Sequence, residues 1–151
     1  MKKLIEKFSY DKKTGVVFIS YLQENSNTGN NDQKTIKSMD EPDGDLFIAF
    51  DNMIEHAAVI AELPDSWLID LTISGLTISR GSSDGVVITL QRSMRSLKSP
   101  MVINTPHCTT ENENFTEECK EDLLNFEKEA IAYIDGKRAQ KELPFNLELA
   151  Q

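Results

Sequence analysis

Leu4, Phe8 and Tyr10 share one phase of a two-residue period, the pattern of a strand with a single buried face. Asp11-Lys12-Lys13-Thr14-Gly15 follows as a turn, and Val16 to Gln23, rich in β-branched and aromatic residues, is a second strand. Asn25 to Asp32 is a polar loop with nothing to bury, and Lys34 to Met39 is a short third strand. A helix opens at Asp43-Gly44-Asp45, with Leu46, Phe50, Met53, Ile54, Ala57 and Ala61 recurring at three- and four-residue spacing. Asp43 or Asp45 suits its N-cap, where acids favour the positive end of the helix dipole, and Pro64 stops it after Leu63.

The second half repeats this order. Trp67, Ile69, Leu71 and Ile73 alternate on one phase, and after Ser74-Gly75 the apolar phase moves to Leu76 and Ile78. A one-residue slip at a glycine marks a β-bulge. Gly81 to Gly85 makes a turn, Val86 to Met94 returns as a strand, and Met101-Val102-Ile103 is a short strand ended by Thr105-Pro106. A polar loop leads to a last helix, capped by Asn114 or Thr116, with Leu123, Phe126, Ala130, Tyr133 and Ile134 as its buried stripe.

Thr14-Gly15-Val16-Val17-Phe18-Ile19 matches Asp84-Gly85-Val86-Val87-Ile88-Thr89 at an offset of about 70 residues. Hairpins and helices also resemble one another by chance, and this match is one of order more than identity. The expected fold is α+β: a duplicated β-β-β-α unit in one domain over 1–142, with pseudo-repeats at 1–63 and 65–142. Its antiparallel strands form two three-stranded sheets or one continuous sheet, with both helices packed on one side. In the tail 143–151, Leu143, Phe145, Leu147 and Leu149 alternate, a pattern that adds to a sheet edge and predicts a homo-oligomer.

At 39% hydrophobic and 27% charged residues, the 151-residue chain has the composition of one globular domain. The N-terminus offers no signal-peptide core, and no apolar run approaches the ~20 residues of a membrane span, so the cytoplasm is expected and no membrane partner is. Cys108 and Cys119 lack zinc or secretory spacing and are expected to be free thiols. His107 and Cys108 are adjacent in an extended segment, point to opposite sides, and so do not act on one atom.

The net charge of −9 argues against coating nucleic acid by charge alone. The charge is uneven, however. Residues 38–65 hold Asp40, Glu41, Asp43, Asp45, Asp51, Glu55, Glu62 and Asp65 with no Lys or Arg, whereas 85–110 hold Arg92, Arg95 and Lys98 with no acid. Phosphate-binding, nucleophile-elbow and zinc motifs are missing from the sequence, so no catalytic residue, metal or cofactor is expected. His56, four residues after Asn52 and beside Glu55, reads as part of a solvated helix face. The carboxylates at 111–122 lack calcium-loop spacing and read as a solvated acidic loop. Asn104 to Thr110 is dense in polar side chains that either line a binding site or satisfy the turn backbone.

Arg92, Arg95 and Lys98, with Lys137, Arg138 and His107, are the candidate anion site, because local field decides where an anion is drawn. The alternative is that the arginines pair with acidic loops while Lys137 and Arg138 face a helix C-terminus. In a regular strand Arg92 and Arg95 point to opposite sides. They reach one ligand only if the strand ends or bulges near Ser93-Met94, or if two subunits contribute.

Gly75-Leu76-Thr77-Ile78, Asn104-Thr105-Pro106-His107, Glu129-Ala130-Ile131-Ala132-Tyr133 and Gly136-Lys137-Arg138-Ala139-Gln140 together resemble a family of small uncharacterised proteins of tailed bacteriophages and prophages. The likeness covers roughly residues 65–140 and brings no catalytic residues. It implies a non-enzymatic accessory protein of the bacterial cytoplasm, binding a host or phage protein or nucleic acid in replication, recombination or host takeover. A second reading is an anti-defence protein that sequesters a small anionic nucleotide. An enzyme with an unrecognised site ranks last. Single-stranded DNA and nucleotides are the ligands to test.

Overall fold

In the computed structural model, which describes residues 2–80 and 84–139, the chain folds into one antiparallel sheet with helices on one of its faces. Strands β1 (Lys3–Asp11), β2 (Val16–Glu24) and β3 (Asn31–Ser38) form a meander. Helices α1 (Gly44–Asp51) and α2 (Met53–Ile60) and a 3-10 helix (Asp65–Asp70) lead to a second meander, β4 (Leu71–Ser79), β5 (Gly85–Arg92) and β6 (Met101–Asn104). The two-residue β7 (Cys108–Thr109) also pairs with β5, and α3 (Glu117–Ile134) closes the described fold. The strand order is β3-β2-β1-β4-β5-β6, so the two meanders join through β1 and β4. Of the two arrangements left open by the sequence, the single continuous sheet is the one formed.

Each helix layer covers the other half's strands. Helix α2 packs on β4 and β5, and α3 packs on β1. At the centre Phe8, Phe50 and Phe126 meet, with ring centroids 4.9, 5.1 and 5.6 Å apart. The two contacts of Phe8 are edge-on and that between Phe50 and Phe126 is stacked, both geometries that add to the area the rings bury. The halves differ in detail: the first has two short helices and the second one helix of 18 residues, preceded by an extra strand. The duplication therefore rests on element order and remains a proposal. The alternating tail, with the self-association assigned to it, and the expected turn at 81–83 lie outside the described residues.

The bulge expected at Ser74-Gly75 is present, with the register shifting between Ile73 and Gly75 and with Leu71, Ile73, Leu76 and Ile78 all buried. A second bulge was not expected. The β1 register shifts between Ile5 and Lys7, so the expected phase holds at Phe8 and Tyr10, which face the core, while Ile5 takes the buried place expected for Leu4. The Ile5 N–H donates to Glu127 Oε2 of α3 (3.0 Å), and Arg80 Nη2 donates to the Ile5 carbonyl (2.9 Å). Arg80 also pairs with Glu127.

Two further expectations change. Trp67 and Ile69 do not extend β4: the pairing of β4 with β5 stops at Leu71 and Arg92, followed only by the Ser93 N–H donating to the Asp70 carbonyl (3.0 Å), and residues 65–70 turn as a 3-10 helix that leaves Ile69 90% exposed. The first helix is interrupted at Asn52 and ends before Pro64 is reached. Glu62 takes a left-handed φ of 54°, and the Leu63 N–H bonds back to the Ala58 carbonyl (2.9 Å), a Schellman closure built without glycine. The last helix follows the pattern closely. Thr116 caps it by accepting from the Cys119 N–H (3.1 Å), and Phe126, Ala130 and Tyr133 are buried.

Candidate functional site

With the described helices on one face, strand alternation sends every second residue to the other, which no described helix covers. Cross-strand pairing lines up Lys37, Phe18, Ser9, Gly75, Thr89 and Asn104 in a row across six strands. A second row holds Thr35, Ser20, Lys7, Thr77 and Val87. Beyond the first row, towards the β1–β2 turn, lies a groove of about 870 Å³. Val16, Thr72, Gln91 and Val102 contribute to its floor, and Lys12, Lys13, Thr14, Ser99 and Pro100 line it from the connecting loops. Lys37 lines it from the edge strand. Among the described residues that line it, Asp11 is the sole carboxylate, set against three lysines and the hydroxyls of Ser9, Thr14, Thr72, Ser74 and Ser99.

The charge is thus divided between layers. The helices carry Asp45, Asp51, Glu55, Glu117, Glu118, Glu121, Asp122, Glu127 and Glu129 against Lys120 and Lys128 alone. Placing the acids on the far layer leaves the groove basic within an acidic chain, since screening confines each charge's influence to about 8–10 Å.

The six residues expected to hold an anion do not form one surface. Arg95 and Lys98 are exposed in the loop between β5 and β6, where Lys98 adjoins the groove-lining Ser99. Arg92 faces the helix layer. Its guanidinium lies 3.9 Å from the centre of the Trp67 ring, and its Nε is buried without a hydrogen-bond partner. His107 sits at the other end of β5, over Gly85, where an added Cβ would come within 2.6 Å of its Nε2. An eight-residue strand separates these ends by roughly 23 Å. Lys137 and Arg138 belong to the helix layer and are already paired. Lys137 Nζ reaches Glu129 (2.9 Å), Asp45 (3.0 Å) and Asp43 (3.8 Å). Arg138 stacks on Tyr133 (3.6 Å) and reaches Asp40 (3.3 Å). Hydrogen bonding to Lys137 lowers the Asp45 pKa, and Glu129 followed by Asp45 raises that of Lys137.

Lys12, Lys13 and Lys37 were missed because a lysine pair in a turn reads as turn chemistry. Their signal was the phase of Phe18, opposite to Val17 and Ile19, which marks an aromatic on the uncovered face. His56 also departs from expectation: it is half-buried, and its Nε2 lies 2.6 Å from Asp122 Oδ2, tying α2 to α3. Cys108 and Cys119 are both free and buried. Burial, then Cys108 and Asp122, push the Cys119 thiol up to about 11, away from the thiolate a nucleophile needs. Among the described residues no group of three or more His, Cys, Asp and Glu side chains is placed to hold a metal ion. No described helix is long and apolar enough to cross a membrane.

Comparison with protein-family models, with curated proteins and with solved structures finds no match to this chain. The reading of the site rests on its own geometry.

Proposed function

We propose that this chain is a non-enzymatic binding protein that receives a phosphate-bearing partner, single-stranded nucleic acid, on the uncovered face of its sheet. The observation that carries this reading is the groove lined by Lys12, Lys13 and Lys37 against the single described carboxylate of Asp11, while the helices carry a large excess of acids. Flexible lysines on a turn and an edge strand suit a backbone of repeating phosphates, which needs charge more than fixed geometry. The accessory role in a phage or prophage within the bacterial cytoplasm, in replication, recombination or host takeover, belongs to the same proposal, as does assembly into a homo-oligomer.

The test is fluorescence anisotropy with a labelled oligothymidylate across a salt series. Three phosphates neutralised on a single strand give a slope of log affinity on log salt of roughly −2. The triple variant K12E/K13E/K37E abolishes binding at every salt concentration while its circular dichroism is unchanged. A wild-type chain that ignores the oligonucleotide even at low salt refutes the reading.

A second reading, sequestration of a small anionic nucleotide, is favoured by one observation. The groove volume of about 870 Å³ falls within the ~300–1,000 Å³ of small-molecule sites. A thermal shift with nucleotides and none with oligonucleotide would select it, because a ligand bound only by the folded state raises its stability.

A further inference from the structure

We propose that Phe18 is a stacking platform for a nucleobase whose phosphate is held by Lys37, so that the uncovered face accepts nucleotides with exposed bases and rejects duplex. The proposal rests on the phosphate-binding reading of the groove and names what the site recognises beyond charge.

Phe18 stands between Val17 and Ile19, both 0% exposed, and so points away from the core those two residues enter. It belongs neither to the core cluster nor to the partly buried residues packed against it. Solvated sheet faces ordinarily take residues such as Thr35, Thr77 and Thr89, which occupy the surrounding positions here. Phe18 is half-buried, so the aromatic ring in their midst keeps only part of its apolar surface open to a ligand on the uncovered face.

The neighbours of Phe18 suit a base. On β1 its partner is the small Ser9, and beyond that lies Gly75, which has no side chain at all. The nearest side chain beside the ring on that side is therefore the small Ser9, with Gly75 itself buried between Ser9 and Thr89. On β3 its partner is Lys37, whose Cβ lies about 5 Å away in this pairing. Lys37 and Ser9, its partners on either side, both line the groove, so Phe18 adjoins the groove without being one of its lining residues. Lys7, paired with Ser20 in the adjoining row, adds a second cation on the same side. Stacking on an aromatic ring needs a free base face, which single strands and free nucleotides present and a duplex does not.

The test uses the full chain with Phe18→Leu and Phe18→Trp. F18L is expected to weaken oligothymidylate binding by roughly 5- to 150-fold, with no change in salt slope because no phosphate contact is lost. Its affinity for an abasic oligonucleotide should equal that of wild type. F18W should keep its affinity and show quenched tryptophan emission on adding oligothymidylate or thymidine monophosphate, and quenching by either supports the platform. Comparing the two ligands separates a strand from a free nucleotide. If F18L binds oligothymidylate like wild type while K12E/K13E/K37E does not, the platform is wrong and the groove reading stands. If the wild-type chain binds neither ligand, both fail. A change of mass in light scattering on F18L, without a change in affinity, would mean that a second copy of the chain covers the ring, and overturns the proposal.

Discussion

Glu127 offers the sharpest test of the packing described above. Its side chain is 15% exposed, and its carboxylate accepts from the N–H of Ile5, a residue with no exposure, at the bulge where β1 leaves regular pairing. It also pairs with Arg80, which itself donates to the Ile5 carbonyl. Glu127→Ala removes the acceptor and leaves a buried N–H without a partner, a loss of about 1–3 kcal/mol. Unpairing Arg80, 29% exposed at its side chain, adds no more than about 1 kcal/mol because water still reaches it. The total is about 1–4 kcal/mol, or roughly 3–12 °C in melting temperature for a chain of this size. Glu127→Gln keeps an acceptor for Ile5 and should cost about 1 kcal/mol. Urea titration of E127A, R80A and the double variant closes a cycle, in which a coupling of about 1 kcal/mol or more is expected. A melting temperature for E127A indistinguishable from wild type, or strict additivity in the cycle, would refute the bulge lock.

Three more outcomes follow from particular residues. Glu62→Gly should raise stability by about 0.5–1 kcal/mol in urea titration, because glycine takes the left-handed φ of 54° without a Cβ penalty. Arg92→Met should leave oligothymidylate affinity unchanged in anisotropy and shift the Trp67 emission, since Arg92 packs on that ring away from the groove; lost affinity would return Arg92 to the site. The buried Cys119 thiol, raised from 9.0 to about 11, keeps its proton in the folded chain after the unfolded chain has released it. Its contribution to stability is therefore complete below pH 9 and is lost as pH rises towards 11, and Cys119→Ala should remove that alkaline slope from the urea midpoints.

What the sequence determined by itself was local. The alternation of Val17, Ile19 and Tyr21, the apolar stripe of α3, its Thr116 cap and the phase slip at Ser74-Gly75 each lie within a few residues, where side-chain period and backbone geometry act directly. They were enough for an α+β fold of antiparallel strands with helices on one side. Tertiary structure decided the rest. The β1 bulge is held by Arg80 and by Glu127, 122 residues from Ile5. His56 reads as solvated until α3 brings Asp122 to it. The candidate anion residues of 85–138 were grouped by nearness along the chain, yet strand direction sends Arg92 to the helix layer and His107 to the far end of β5. Lys12, Lys13 and Lys37 converge because strand pairing sets Lys37 opposite Phe18, close to the β1–β2 turn. Period reveals which face a residue occupies, but its neighbours across a sheet depend on register between distant segments, and the local pattern of a single chain does not encode that register.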